Sequence, residues 1–372
     1  MTRLVFGVLV SFLLLTSVTV AQPVKKSDAK LEKTRQEMIA KAVAFLRTTQ
    51  QEDGSFSPSP QSVIGPTGIV LMGLLQAGVP ADDPMVKKGI GFLKKYAHEN
   101  GSFSSPGVKI INYETCVAIC ALSLANPGGE YTELLKKADA FIRGQQYTEK
   151  NGHSMDDPNY GGLGYGLGER ADLSNTEFFV EAIRLTGGGA DDEAIQRALV
   201  FVSRCQNLPS EHNPSPKAAK NPDGGFYYTA ENGGESSAGE TANGGLRSYG
   251  SMTYSGFKSM IYAGLTSSDP RFQAAVKWLK ENYDLNSNPG MGLQGLYYYY
   301  QLISKTLDVA KMPVFVTADN QKHDWKAELI ELFALRQNED GSWINPQKRW
   351  LEGDPNLVTG YVLMTLSNCK KD

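Results

Sequence analysis

The chain of 372 residues is short of the residues that hold metals and of those that staple secreted folds, with only four histidines and four cysteines. His98, His153, His212 and His323 are scattered beside loop-like sequence without a partner at helical spacing, so no metal site is expected. Four cysteines are too few for disulfides to be the main staple of an exported chain of this length. Cys116 and Cys120, four apart on one apolar helix, read as buried free thiols. An excess of positive charge is also missing, the formal net charge being −3. That excludes a nucleic-acid footprint and a basic membrane-binding face. No glycine-rich segment continues into Gly-Lys-Ser/Thr, so there is no phosphate loop, and no cofactor is expected. No long stretch alternates apolar and polar residues, which leaves an all-α chain.

One long apolar run is present, Leu4 to Val20, preceded by Thr2-Arg3 and closed by Thr19-Val20-Ala21, which suits a signal peptidase. It is short for a membrane span, and Pro23, Lys25 and Lys26 follow at once. No cysteine stands at the junction to carry a lipid. Residues 1–21 are therefore expected to be a cleaved signal peptide, and residues 22–372 a single domain without a stable membrane anchor. The location expected after export is periplasmic or extracellular.

The remaining sequence repeats itself. Gly-aromatic or Gly-apolar turns fall at Gly54-Ser55-Phe56, Gly101-Ser102-Phe103, Gly162-Leu163-Gly164-Tyr165, Gly225-Phe226, Gly290-Met291-Gly292 and Gly341-Ser342-Trp343. Each ends an amphipathic stretch such as MIAKAVAFLRTTQ or KAELIELFALRQ, with apolar residues three and four apart and charges between them. Glycine supplies the left-handed backbone that stops such a helix. A second, almost wholly apolar helix follows each turn, starting near Thr67, Thr115, Thr176, Thr253 and Thr359. Successive threonines lie 48, 61, 77 and 106 residues apart, and GLQGLYYYYQLIS fills the double-width gap. Six amphipathic and six buried helices in six hairpins predict an (α/α)6 toroid, inner helices ringing an axis and outer ones shielding them. An open solenoid is the architectural alternative. The stretch 207–250 lacks helical periodicity and reads as a long irregular central insertion, a lid or binding loop at the cavity mouth.

The recurring Gln…Asp/Asn-Gly-Ser-Phe/Trp ends resemble the QW repeats of the squalene cyclase and protein prenyltransferase superfamily, over nearly all of residues 30–369. The resemblance implies a terpenoid-cyclase toroid with a central reaction cavity. It gives Gln50, Gln146, Gln206 and Gln337, with Phe56, Tyr165, Phe226 and Trp343, a structural role at outer-helix ends. It also implies where an acid should stand. Class II terpene cyclases carry Asp-x-Asp-Asp-Thr at an inner-helix start, the middle Asp being the proton donor. Here Asp172 and Thr176 match, but Ser174 replaces the acid and Asn175 the last Asp. A serine hydroxyl cannot protonate an alkene. The zinc ligands of the prenyltransferases and the Cys-Gly-Glu-Gln of thioester toroids are missing as well.

The residues at inner-helix starts remain the candidates for chemistry, because parallel helix N-termini gather free N–H groups and positive dipole ends around one mouth. Asp172, Glu177, Glu114 and Asp354 are the candidate acids, with Glu352 beside them. Each also has a plainer reading at a helix start, Ser174 or Asn175 capping a helix with Glu177 completing a capping box, and the others answering a dipole. Tyr254, Phe257, Tyr297, Tyr298 and Tyr361 are the candidate ligand-lining aromatics. At least one of four consecutive tyrosines, Tyr297 to Tyr300, must face the axis. The function expected is an exported toroid binding an apolar, isoprenoid-like small molecule, with or without a cyclase- or transferase-like reaction. A non-catalytic binding or scaffold toroid and a carbohydrate-active toroid are the alternatives.

Overall fold

The computed structural model describes residues 26–59 and 61–371. The expected signal peptide lies outside the described residues. Among the described residues no helix is long and apolar enough to cross a membrane.

Six inner helices form the ring: α2 (Gly65–Gln76), α4 (Ile111–Leu124), α6 (Leu173–Leu185), α9 (Gly250–Tyr262), α11 (Leu296–Val309) and α13 (Pro355–Asn368). The outer layer is α1 (Lys26–Thr49), α3 (Pro84–Lys94), α5 (Thr132–Gln145), α7 (Glu193–Arg204), α10 (Pro270–Glu281) and α12 (Trp325–Arg336). Each inner helix packs on the next, and α13 packs back on α2, so the ring closes and the open solenoid is excluded. The all-α toroid predicted from the repeat is the fold of this chain.

The repeated turn is a joint between outer helices. The Gln50 carboxamide donates to Gly54 O in its own turn at 3.1 Å and to Met85 O in the first turn of α3 at 2.9 Å. Gln146 joins Gly161 O to Ala194 O, both at 2.8 Å, and Gln206 joins Gly224 O to Arg271 O, both at 2.9 Å. Gln337 closes the circle, donating to Gly341 O at 3.0 Å and to Met38 O of α1 at 3.1 Å. Glycine is required at these turns by both conformation and space. Gly54 has φ 98°, and a Cβ there would lie 2.2 Å from Lys88 O.

The residue after the turn then locks onto the inner helix. The Phe56, Phe103, Phe226 and Trp343 N–H groups donate to the hydroxyls of Thr67, Thr115, Thr253 and Thr359 at 2.9–3.3 Å. In the third repeat this slot belongs to Leu163, whose N–H reaches Thr176 Oγ1 at 3.1 Å, and not to Tyr165. Gly161 takes the left-handed position against Arg197 O, which leaves Tyr165 two residues past the joint and free to enter the cavity.

Residues 207–249 form a compact series of turns, with a short helix α8 (Pro216–Lys220) and narrow bridges such as Thr229 with Glu235 and Glu240 with Leu246. The Asn207 carboxamide pins this segment by donating to Leu246 O and Ser248 Oγ, each at 2.8 Å. A two-stranded hairpin, β1 (Phe315–Val316) with β2 (Lys322–His323), is the only sheet among the described residues. All four cysteines are buried and free.

Candidate functional site

A cup of about 410 Å³ opens at the ring end where the six inner helices begin. A volume of this size falls within the range of small-molecule sites. Its floor is an aromatic layer from four inner helices. The Tyr113 ring meets Phe178 edge-on at 5.4 Å, Phe178 stacks on Tyr298 at 6.3 Å, and Tyr298 meets Tyr361 at 6.1 Å. The Ser174 hydroxyl, 3.4 Å from the Tyr298 hydroxyl, stands just above this layer. Tyr165, Tyr228 and Tyr249 make one wall, the last two contributed by the central insertion. At the rim Arg170 pairs with Glu235, and Arg349 lies over the Trp350 ring at 4.2 Å. Trp350 is 46% exposed and, with Leu351, holds a left-handed backbone at φ 55° and 65°. Two such bulky residues in sequence are rare, and strain of that kind gathers where a chain is held for a ligand.

Helix starts do converge on the cup, but their N–H groups do not point into it. In α2, Gly65 N donates to Ser62 Oγ at 3.0 Å, and in α4, Asn112 N and Tyr113 N donate to Tyr165 O at 3.0 and 3.3 Å. In α9, Gly250 N reaches Pro289 O at 2.8 Å and Ser251 N reaches Asn288 Oδ1 at 2.9 Å. Carboxylates answer the other three: Asp172 takes Asn175 N at 2.9 Å, Asp354 takes Asn356 N at 2.8 Å, and Glu352 takes Tyr298 N at 2.8 Å. Each of the six first turns thus has at least one of its N–H groups answered from within the fold.

This places the four candidate acids. Asp172 caps α6, in the position the sequence suggested for Ser174 or Asn175. It is buried behind Tyr228, and burial raises its carboxyl to about 6 against the opposing hydrogen bonds of Asn175. Glu114 turns away from the cup to accept from Ser62 Oγ and Val63 N at 3.1 Å and Ile64 N at 3.2 Å, closing the loop before α2. Asp354 caps α13. Glu177 completes no capping box. It lies below the aromatic floor, paired with Lys258. None of the four lines the cup, because each is drawn to an orphan N–H or a buried ammonium nearer to hand.

Of the candidate aromatics, Tyr298 and Tyr361 face the cup. Tyr254, Phe257 and Tyr297 do not. Tyr254 packs edge-on against Tyr299 at 5.7 Å, Phe257 edge-on against Phe272 at 4.7 Å, and Tyr297 stacks on Phe333 at 6.3 Å. Tyr299 and Tyr300 turn outward, donating to Asp284 O at 2.8 Å and Leu285 O at 2.6 Å.

Below the floor lies a plug of four charges and Gln301. Lys258, buried on α9, bridges Glu177 and Glu181, the latter at 2.7 Å, and Lys305 lies 3.7 Å from Glu181. Burial would raise Glu181, but Lys258 and Lys305 outweigh it and hold the carboxyl at about 2. Glu177 and Glu181, four apart on α6, with Lys258 and Lys305 on two other inner helices, were the sequence signal for this plug.

Glu352 is the one fully buried carboxylate on the wall of the cup, 1% exposed. It accepts from Tyr298 N and, at 2.6 Å, from Asn345 Nδ2, and burial lifts it to about 7 in spite of these bonds. Among the described residues no group of three or more His, Cys, Asp or Glu is arranged to hold a metal ion.

The architecture is that of an α/α toroid. No protein-family model matches the sequence, and no curated protein matches it either. Solved structures do match in fold. The type II terpene cyclase MstE from Scytonema is similar with a TM-score of 0.57 and 14% identity, over 90% of this chain and 97% of that one. A second MstE structure, in complex with its substrate geranylgeranyl dihydroxybenzoate, matches with a TM-score of 0.54 and 14% identity over 92% and 98%. An α-amylase from Clostridium perfringens has a TM-score of 0.55 at 13% identity over 90% and 98%. A polysaccharide lyase has 0.56 at 11% over 92% and 97%.

Proposed function

We propose that this chain is an exported toroid that binds an isoprenoid-like ligand in its cup, the apolar chain lying against the aromatic floor. The observation that carries this reading is the cup itself: ring faces of Tyr113, Phe178, Tyr298 and Tyr361 beneath a cavity of about 410 Å³. Stacked and edge-on rings offer a large apolar area at low entropic cost. The binding of geranylgeranyl dihydroxybenzoate by the cyclase of similar fold supports it. Ser174 stands where an alkene-protonating acid would be needed, so the ligand is bound without cyclisation by that route. Titration with geranylgeraniol, followed by tryptophan fluorescence through Trp350, tests the reading. Saturable binding that weakens about tenfold in Phe178→Ala is expected. Absence of binding overturns it, and a cyclic product in the mass spectrum of the extract overturns the claim of no cyclisation.

A second reading is favoured by the rim, where the half-exposed Trp350 and three wall tyrosines could stack and hydrogen-bond a sugar. Titration with linear oligosaccharides that shifts the same fluorescence while geranylgeraniol does not would replace the first reading with this one.

A further inference from the structure

Helix N-termini around a cavity ordinarily attract anions. Here all six first turns are answered from within the fold, three of them by carboxylates. The rim cations are committed too. Arg170 is paired with Glu235, while Arg349 lies over Trp350 and donates to Gln294 Oε1 at 2.5 Å. No lysine lines the cup. What faces the ligand is a set of aromatic rings, whose faces carry the negative pole of a quadrupole, and one buried carboxylate.

That carboxylate, Glu352, has only N–H partners, Tyr298 N at 2.8 Å and Asn345 Nδ2 at 2.6 Å, and among the described residues it has no ion pair. It lines the cup together with Tyr298 and Tyr361, whose rings lie 6.1 Å apart. A buried carboxylate without a counter-ion is costly, and a ring face beside it is where a desolvated cation gains most. We propose that the ligand carries a permanently charged organic cation, an alkylammonium head, seated on the Tyr298 and Tyr361 faces with Glu352 as its counter-ion. This deepens the preceding proposal and rests on the cup being a ligand site. The apolar tail would then run across Phe178 and Tyr113.

Octyltrimethylammonium, octyl glucoside and octyl sulfate, each below its micellar concentration, share one tail and carry heads of three charges. Calorimetric titration of the full chain with each is expected to show the cation binding at least about tenfold more tightly than either other ligand. Glu352→Gln keeps an oxygen for the Tyr298 N–H and is expected to weaken the cation about tenfold, bringing it level with octyl glucoside measured on the same variant. Equal affinity for the three heads, or preference for the sulfate, overturns the cationic head and leaves the apolar cup standing. A cation preference unchanged in Glu352→Gln overturns the role of Glu352. Failure of all three ligands and of geranylgeraniol overturns the cup as a ligand site.

Discussion

Gly73 on α2 and Gly360 on α13 meet backbone to backbone: a Cβ added to Gly73 would lie 2.5 Å from Gly360 O. This is the seam at which the first inner helix closes on the last. Gly73→Ala is therefore expected to force the two helices apart and destabilise the fold by ~1–3 kcal/mol. Gly91→Ala, on exposed α3 with nothing within 4 Å of the new methyl, is expected to stabilise by ~0.5–1 kcal/mol. Urea denaturation midpoints moving in opposite directions would bear this out. Equal midpoints would contradict the tight seam.

The joints between outer helices should act on stability and not on the cup. Gln146→Leu leaves Gly161 O and Ala194 O without their donor, in a region closed to water. A loss of ~1–3 kcal/mol per unsatisfied group is expected, with ligand affinity unchanged. An unaltered denaturation midpoint would show that water replaces the carboxamide.

Removing one member of the buried charge plug should be worse than removing a balanced set. Lys258→Met strands Glu177 and Glu181 and is expected to cost ~3–5 kcal/mol. Adding Glu177→Gln to it should recover part of that loss, giving a coupling measurable by a double-mutant cycle. Strictly additive effects would mean that the three side chains do not act as one cluster.

Stability should fall as pH rises toward neutrality. In the folded chain burial raises Asp172 to about 6 and Glu352 to about 7, above their ordinary values of 3.8 and 4.5. Between those limits the folded state holds protons that the unfolded state has released, so increasing pH favours unfolding. Glu181, held at about 2, acts in the opposite sense and only below its ordinary 4.5. Maximum stability is therefore expected near pH 4 to 4.5, where Glu181 begins to lose and Asp172 and Glu352 have lost little. Glu352→Gln should flatten the decline between pH 5 and 7.5, as followed by thermal melting. A wild-type melting temperature that rises over that interval would refute the assignment.

The hairpin count, the closed ring and the joint were legible because each rests on local chemistry: a helix period, a left-handed glycine, a carboxamide beside it. The cup was legible only in part. Tyr298 faces inward and Tyr297 does not because the rotation of α11 is fixed by its contacts with Phe333 and with the 284–285 carbonyls, which no periodicity within YYYY records. Tyr228, Tyr249 and Trp350 sit on irregular segments, where the face a side chain takes is decided by distant packing. Tyr165 was misread because the aromatic and not the spacing marked the joint: Leu163 stands two residues after the left-handed Gly161, as Phe56 does after Gly54, and takes the slot. The two roles open to the acids could not be told apart for a related reason. A carboxylate at a helix start has the same sequence signature whether it serves a substrate or an N–H.

The bond from Gln337 to Met38 spans 299 residues. Hairpins that fold over a few tens of residues lose little chain entropy, whereas joining ends this far apart costs ~2–3 kcal/mol more before any contact forms. Closure thus comes late in folding, after the separate hairpins are made. Until then the apolar flanks of α2 and α13 have no partner but water or each other's counterpart on a neighbouring chain. A chain delayed at that stage has a ready route to a domain-swapped dimer.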